Sequence, residues 1–267
     1  MLKKKLTSST WIAIARTAGV WAFWLILWFV CAAAMGLEIL LPSPIHTAKA
    51  LGALIATSLF WKSLALSMLR VLLGILISLL IGTLLAIVTS YSALCRALFS
   101  PLMNAAKSVP VACFIMLVFL WMNTAGIPIF ITTLIVVPIV WSNVSQGITS
   151  TDPSLKEVTK IFGFSRVKTL RVLYIPSVFP YFLAACRSAL GMAWKAGIAA
   201  EVLAPPLFGI GRGIYLAKTD LDSATLFAWT FVIVLISIVV EKLLFWILAR
   251  SARSLHLNVG GDGHADA

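Results

Sequence analysis

The residue types able to do covalent or metal chemistry are few and scattered. The cysteines Cys31, Cys95, Cys113 and Cys186 stand singly in apolar surroundings, with no Cys-x-x-Cys pair. Such cysteines behave as small hydrophobes, and neither a disulfide frame nor a zinc site is implied. His46, His256 and His264 have no cysteine or carboxylate neighbour at ligand spacing. No paired carboxylates and no Ser/His arrangement nominate a nucleophile or a proton shuttle. The run Gly209-Ile210-Gly211-Arg212-Gly213 has the wrong spacing for a dinucleotide fingerprint and reads as a flexible turn, and no G-x-x-x-x-G-K-[ST] phosphate loop occurs. No catalytic residue, metal or bound cofactor is therefore expected.

What remains is a small set of charges inside apolar sequence: Arg70, Arg187, Lys195 and Glu201. A charge at mid-membrane depth is costly and faces a bundle interior, a water-filled path or an interface. Two roles are open to this set. The cations make a translocation path attractive to an anion such as a sulfonate, or they brace helix packing through carbonyls and Glu201. Bracing is the favoured reading, with Lys195 and Glu201 as a pair near the outer end of one helix.

The elements that carry these residues follow from composition. The chain has 267 residues, 61% hydrophobic and 11% charged, and a mean hydropathy of +1.04. A soluble domain carries about 25% charged residues, so lipid must be the solvent. The net charge of +12 belongs to cytoplasmic loops; a nucleic-acid reader would need a soluble scaffold with a basic face.

Charge-free intervals predict about six spans: 17–37, 71–94 (entering near Ser63), 109–122, 128–146, 177–200 and 224–248. The interval 108–151 carries no charge. As one helix it would measure about 66 Å at about 1.5 Å per residue, twice a bilayer core, so it must fold back at Met122–Pro128. The first run is read as a retained helix, not a signal peptide. With the amino terminus inside, thirteen Lys and Arg lie in the cytoplasm against four outside (Lys49, Lys62, Arg212 and Lys218). Both termini are thus expected in the cytoplasm. The organisation is a cytoplasmic segment 1–16, a transmembrane domain 17–250 with its main loop at 147–176, and a disordered cytoplasmic tail 251–267.

That loop is the specific part of the sequence. Asp152 or Thr151 caps a helix with Pro153 at its first position. Leu155, Val158, Ile161 and Phe162 recur at helical spacing on one face, opposite Lys156 and Lys160. Gly163 ends the helix, and a second short helix over 166–174 leads to Pro176. A free apolar face on a short cytoplasmic helix suits either a groove in a partner or a headgroup layer.

Glu157-Val158-Thr159-x3-Gly163-x9-Leu173-x-Ile175-Pro176 resembles the loop signature of binding-protein-dependent ABC importer permeases, Glu-Ala-Ala-x3-Gly-x9-Ile-x-Leu-Pro. Glu157, Gly163 and Pro176 fall at matching positions; Val158 and Thr159 replace the alanines. Leu41-Pro42-Ser43-Pro44, Ser67–Gly74, Ala193-Trp194-Lys195 to Ala200-Glu201 and Gly209-Ile210-Gly211 resemble the nitrate/sulfonate/taurine branch, which also imports thiamine-precursor pyrimidines and riboflavin-like compounds.

The resemblance implies an all-α, type I importer permease fold in a bacterial inner membrane. It also implies coupling to an ATPase through Glu157, Val158, Thr159, Ile161, Phe162, Gly163 and Pro176. Two ATPase subunits carrying ATP and Mg, an external binding protein, a second permease copy and surrounding lipid are the implied partners; nucleic acid is not. An ion-coupled transporter would need intramembrane carboxylates or broken helices at mid-depth. The only span-located acid in this reading is Glu241, paired locally with Lys242.

Overall fold

The computed structural model describes residues 8–254. Lys3, Lys4, Lys5, His256, His264 and most of the tail lie outside the described residues. The described chain is helical: α1 Ser8–Met35, α2 Pro44–Ile55, α3 Ser58–Tyr91, α4 Ala93–Ser108, α5 Val111–Phe119 and α6 Ile127–Thr149 come first. They are followed by α7 Pro153–Ile161, α8 Arg166–Thr169, a π turn Leu170–Tyr174, α9 Ile175–Leu203, α10 Ile210–Thr219 and α11 Ser223–Ser254.

Among the described residues five stretches are long and apolar enough to cross a membrane: Ala15–Met35, Ser58–Tyr91, Ile127–Thr149, Arg166–Leu203 and Ser223–Leu243. The expected third span over 109–122 is not a straight helix. The chain enters it as α4 and α5, bent by 102°. The cause lies at Val109-Pro110. A residue before proline is pushed to extended backbone, and Val109 sits at φ −80°, ψ 133°. Alone, α5 reaches only about 14 Å at about 1.5 Å per residue.

The two connecting segments read as outer loops each contain a helix, α2 and α10. For α2 the signal lay in Ser43-Pro44: the Ser43 side chain accepts from the His46 amide at 3.3 Å, with Pro44 in the first turn.

The helices form two compact units. One comprises the chain through Trp61 together with Gly213–Val232; the other comprises Lys62–Arg212 and the chain from Ile233 onward. In the first, the Trp28 indole donates to the Pro42 carbonyl at 3.0 Å, and its ring stacks on Phe227. Trp229 stacks on Phe60 and fills the space that a Cβ on Gly213 would need.

In the second unit α6 is the central element, burying Ile127, Ile131, Ile135, Val136, Val140 and Val144. Ile115, Val118, Ala196, Ala200 and Ala204 from α5, α9 and the residue after α9 close around it. The α3 face against α6 reads Gly74-x3-Ser78-x3-Gly82. A Cβ on Gly74 would meet Thr132 at 2.6 Å, and one on Gly82 would meet Val140 at 2.7 Å. Lipid supplies no hydrophobic drive between helices, so small residues that admit close backbone contact hold them together. Polar bonds cross the same seam: Thr133 donates to the Gly74 carbonyl at 3.3 Å. The Trp141 indole N–H likewise donates to the Thr89 hydroxyl at 2.8 Å.

Candidate functional site

The site residues fall into two places in the second unit and one open helix face. The first place is a buried polar node. Glu201, near the end of α9, is 1% exposed. One carboxylate oxygen accepts from the Arg70 guanidinium at 2.8 Å. The other accepts from the Ser67 hydroxyl at 2.6 Å and from the Gly211 amide at 3.1 Å. Arg70 also donates to the Phe208 carbonyl at 2.8 Å, and Ser67 Oγ accepts from the Ile210 amide at 2.8 Å. Ser67 and Arg70, three apart on α3, share one helix face, so both reach the same carboxylate.

The first amides of α10 thus point at Glu201 and Ser67, where a helix has unsatisfied donors and positive dipole charge. Glycine is required for this approach. A Cβ on Gly209 would lie 2.6 Å from a Glu201 carboxylate oxygen, and one on Gly211 would lie 2.3 Å from the Glu201 Cβ and 2.6 Å from the Val202 nitrogen. Ile210 is fully buried. The segment read as a flexible turn is therefore fixed by charge-assisted hydrogen bonds. Lys195 does not pair with Glu201; it lies exposed on α9, and the carboxylate belongs to Arg70. Sequence spacing favoured the local residue, whereas the fold brings Arg70 from 131 positions away.

The second place is the loop 147–176. Asp152 caps α7, its carboxylate accepting from the Ser154 amide at 2.8 Å. At the other end the Gly163 amide donates to the Lys160 carbonyl at 3.0 Å and the Phe164 amide to the Thr159 carbonyl at 2.9 Å. That pair of bonds closes the helix around a left-handed residue, and Gly163 has φ +58°. Leu155, Val158, Ile161 and Phe162 are all exposed, Ile161 at 81% and Phe162 at 71%. Glu157 is exposed as well. Thr159 is the inward member of the motif: it is buried, and its hydroxyl donates to the Lys156 carbonyl at 2.8 Å.

The return segment is tied to α7. The Lys168 ammonium sits 3.9 Å from the centre of the Phe164 ring, and Lys156 sits 6.0 Å from that of Tyr174. The expected short helix over 166–174 is not separate. It runs through a π turn directly into α9, making one continuous helical stretch from Arg166 to Leu203. Pro176 has no amide to donate back to Val172, and the widened π turn before it absorbs that missing bond. Pro176 therefore lies inside this stretch, half-buried.

The open face belongs to α9, where Arg187 and Lys195 are both exposed. Glu241 and Lys242, expected as a local pair on α11, are both exposed, and no ion pair between them occurs among the described residues. No group of three or more metal-ligating side chains occurs among the described residues.

A family described as the binding-protein-dependent transport system inner membrane component matches residues 78–256. The chain is 30% identical to the nitrate import permease protein of Synechococcus elongatus over 189 residues, 68% of this chain and 66% of that one. It is 25% identical to the formylaminopyrimidine transport permease protein of Halalkalibacterium halodurans over 80% of this chain and 85% of that one. Matches to other curated relatives span as little as 56% of the relative's length. Among solved structures, an amino acid ABC transporter with histidines superposes with a TM-score of 0.61 at 18% identity, covering 76% of this chain and 97% of that one. That likeness concerns the fold.

Proposed function

The chain belongs to the family of binding-protein-dependent transport system inner membrane components, and from that premise we propose that it is the translocating subunit of an ATP-driven importer. It is a multi-pass membrane protein. Two copies form the pathway, two cytoplasmic ATPase subunits bind ATP and Mg, and an external binding protein delivers a small solute. In orientation, both termini and the 147–176 loop face the cytoplasm of a bacterial inner membrane, as the excess of Lys and Arg on that side supports.

The observation that carries this reading is the geometry of α7. Leu155, Val158, Ile161 and Phe162 present an uncovered apolar face on a capped, glycine-stopped helix, in the loop that bears the family's motif. A helix that only lay in the headgroup layer would not need so rigid an ending. A helix that seats in a groove of a motor subunit does. Movement of that subunit is transmitted along the unbroken helical stretch 166–203, which shifts a two-state pathway between its inward and outward forms.

Within the motif the roles divide. Val158, Ile161 and Phe162 make the contact, Glu157 offers a charge at its edge, and Thr159 and Gly163 shape the helix end. Pro176 sets the π turn that joins loop to span. The solutes named for the relatives, nitrate and formylaminopyrimidine, mark the two candidate classes, small anions and thiamine-precursor pyrimidines.

Co-purification in detergent with the ATPase subunit tests the reading. Gly163→Val is expected to abolish that association, or the ATPase stimulation that follows from it, while leaving expression intact. A β-branched residue is strained at positive φ. Normal coupling by that variant would refute the assignment.

A further inference from the structure

The helical stretch Arg166–Leu203 is 38 residues long, about 57 Å at about 1.5 Å per residue. A bilayer core takes up roughly 20 of those residues, so the stretch projects well beyond it. Its outer end is held in protein, with Ala200 and Glu201 buried. The surplus therefore falls at the inner end, where α8 and the π turn pass through the layer of lipid headgroups.

The side chains at that end are graded along the helix. Ile175 and Val172, nearest the core, are apolar and exposed, while Leu173 between them is buried and ties the segment to the protein. Arg171, Lys168 and Arg166 follow on the cytoplasmic side and are all exposed. Between Lys156 and Arg171 the chain carries five Lys and Arg and a single acid, Glu157. Among the described residues no carboxylate forms an ion pair with any of the five. Lys168 is engaged on the Phe164 ring, which leaves Arg166 and Arg171 as the outward charges. The α7 face is wholly apolar and suits a protein groove. Here cations adjoin exposed apolar residues at the start of a span, and a cluster of that kind fits an anionic membrane surface.

Resting on the reading of the chain as a translocating subunit with this loop in the cytoplasm, we propose that the segment Arg166–Ile175 docks anionic phospholipid of the inner leaflet, with Arg166 and Arg171 as the headgroup-binding residues. Val172 and Ile175 meet the upper acyl chain, and the two guanidinium groups take phosphate oxygens in the paired geometry that suits arginine. Arg166 lies about 7 Å further out than Arg171 at about 1.5 Å per residue, a distance its long side chain bridges by reaching back toward the phosphate layer. Each basic side chain raises binding to an anionic surface about fivefold, so the pair favours anionic over zwitterionic lipid by about tenfold or more. The apolar face of α7 stays free for its protein partner.

Spin-labelled lipids test this on the full chain. With Cys31, Cys95, Cys113 and Cys186 replaced by Ser, a bimane fluorophore on Val172→Cys is titrated with phosphatidylglycerol or phosphatidylcholine, each carrying a nitroxide at the top of one acyl chain. Phosphatidylglycerol is expected to quench at about tenfold lower mole fraction. Arg166→Gln combined with Arg171→Gln should bring the two lipids within about twofold. Inorganic phosphate should not relieve the quenching, since it offers no chain to Val172. A bimane on Leu84→Cys, exposed on α3, should be quenched equally by both lipids. Native mass spectrometry of the chain with its cysteines intact repeats the comparison should the replaced form fail to accumulate, the Gln pair retaining less phosphatidylglycerol than wild type. Equal quenching at Val172 by the two lipids, a preference unchanged by the Gln pair, the same preference at Leu84, or displacement by phosphate would each overturn the proposal. Loss of ATPase co-purification by the Gln pair with its lipid preference intact would overturn it too, placing the arginines on the motor subunit. A wild-type chain that prefers phosphatidylglycerol but recovers no ATPase subunit would instead count against the translocating-subunit reading alone.

Discussion

Glu201 accepts three hydrogen bonds from two elements, α3 and α10, and every one of its donors is itself fixed by the fold. A buried ion pair is not stabilising merely by existing, because both charges must leave water. Its consequence appears when one partner is removed. Glu201→Gln leaves Arg70, 11% exposed, without its counter-charge, and is expected to destabilise the protein by about 3–5 kcal/mol. Replacing both with apolar residues of similar volume should recover most of that loss. Thermal unfolding in detergent measures both variants; a wild-type transition for Glu201→Gln alone would show that the pair is not structural. Gly211→Ala is the geometric counterpart. Its Cβ would sit within 2.6 Å of backbone at Val202, contact that cannot relax by rotating a side chain, and a cost of about 1–3 kcal/mol is expected.

At the scale of elements, α3 and α6 meet through missing side chains. Gly74, Ser78 and Gly82 recur every four residues, which places them on one helix face. Gly82→Leu would drive a side chain into Val140 and the Val137 carbonyl. In a membrane this separates the helices without gaining hydrophobic burial, so loss of assembled protein is expected, read as reduced monodisperse recovery on size exclusion. Leu80→Ala, two positions away on the exposed side, should leave recovery unchanged. The α4–α5 pair is the opposite kind of element, broken at Val109-Pro110. The absence of charge in 108–151 pointed to apolar helix there, and it is apolar; absence of charge says nothing about direction, which the proline decided.

For the whole molecule, the bent pair fixes the parity of the topology. Counted as one crossing it makes six spans and puts both termini on one side; counted as a re-entrant loop it makes five and puts them on opposite sides. The charge asymmetry between connecting segments supports the first. Reporter fusions after Arg253 and at the amino terminus are expected to report the cytoplasm in both cases, with a fusion within Thr219–Ser223 reporting the exterior. Opposite signals from the two ends would make α4–α5 re-entrant.

The chain's hydropathy, its charge-free intervals and the Glu157–Gly163–Pro176 spacing were enough to determine a helical membrane protein, five of its long helices and a capped, glycine-ended helix in the main loop. These are local properties: the need for about 20 apolar residues per crossing, cap chemistry and the freedom of glycine at positive φ each act within a few residues. Tertiary structure alone decided that Glu201 belongs to Arg70 and not to Lys195, and that Gly209-Ile210-Gly211 is an anchored turn and not a loose one. It also left Arg187 and Lys195 on an open face while burying Glu201. Pairing across 131 positions depends on which helix faces meet, and one chain's periodicity gives each helix a face without naming its neighbour.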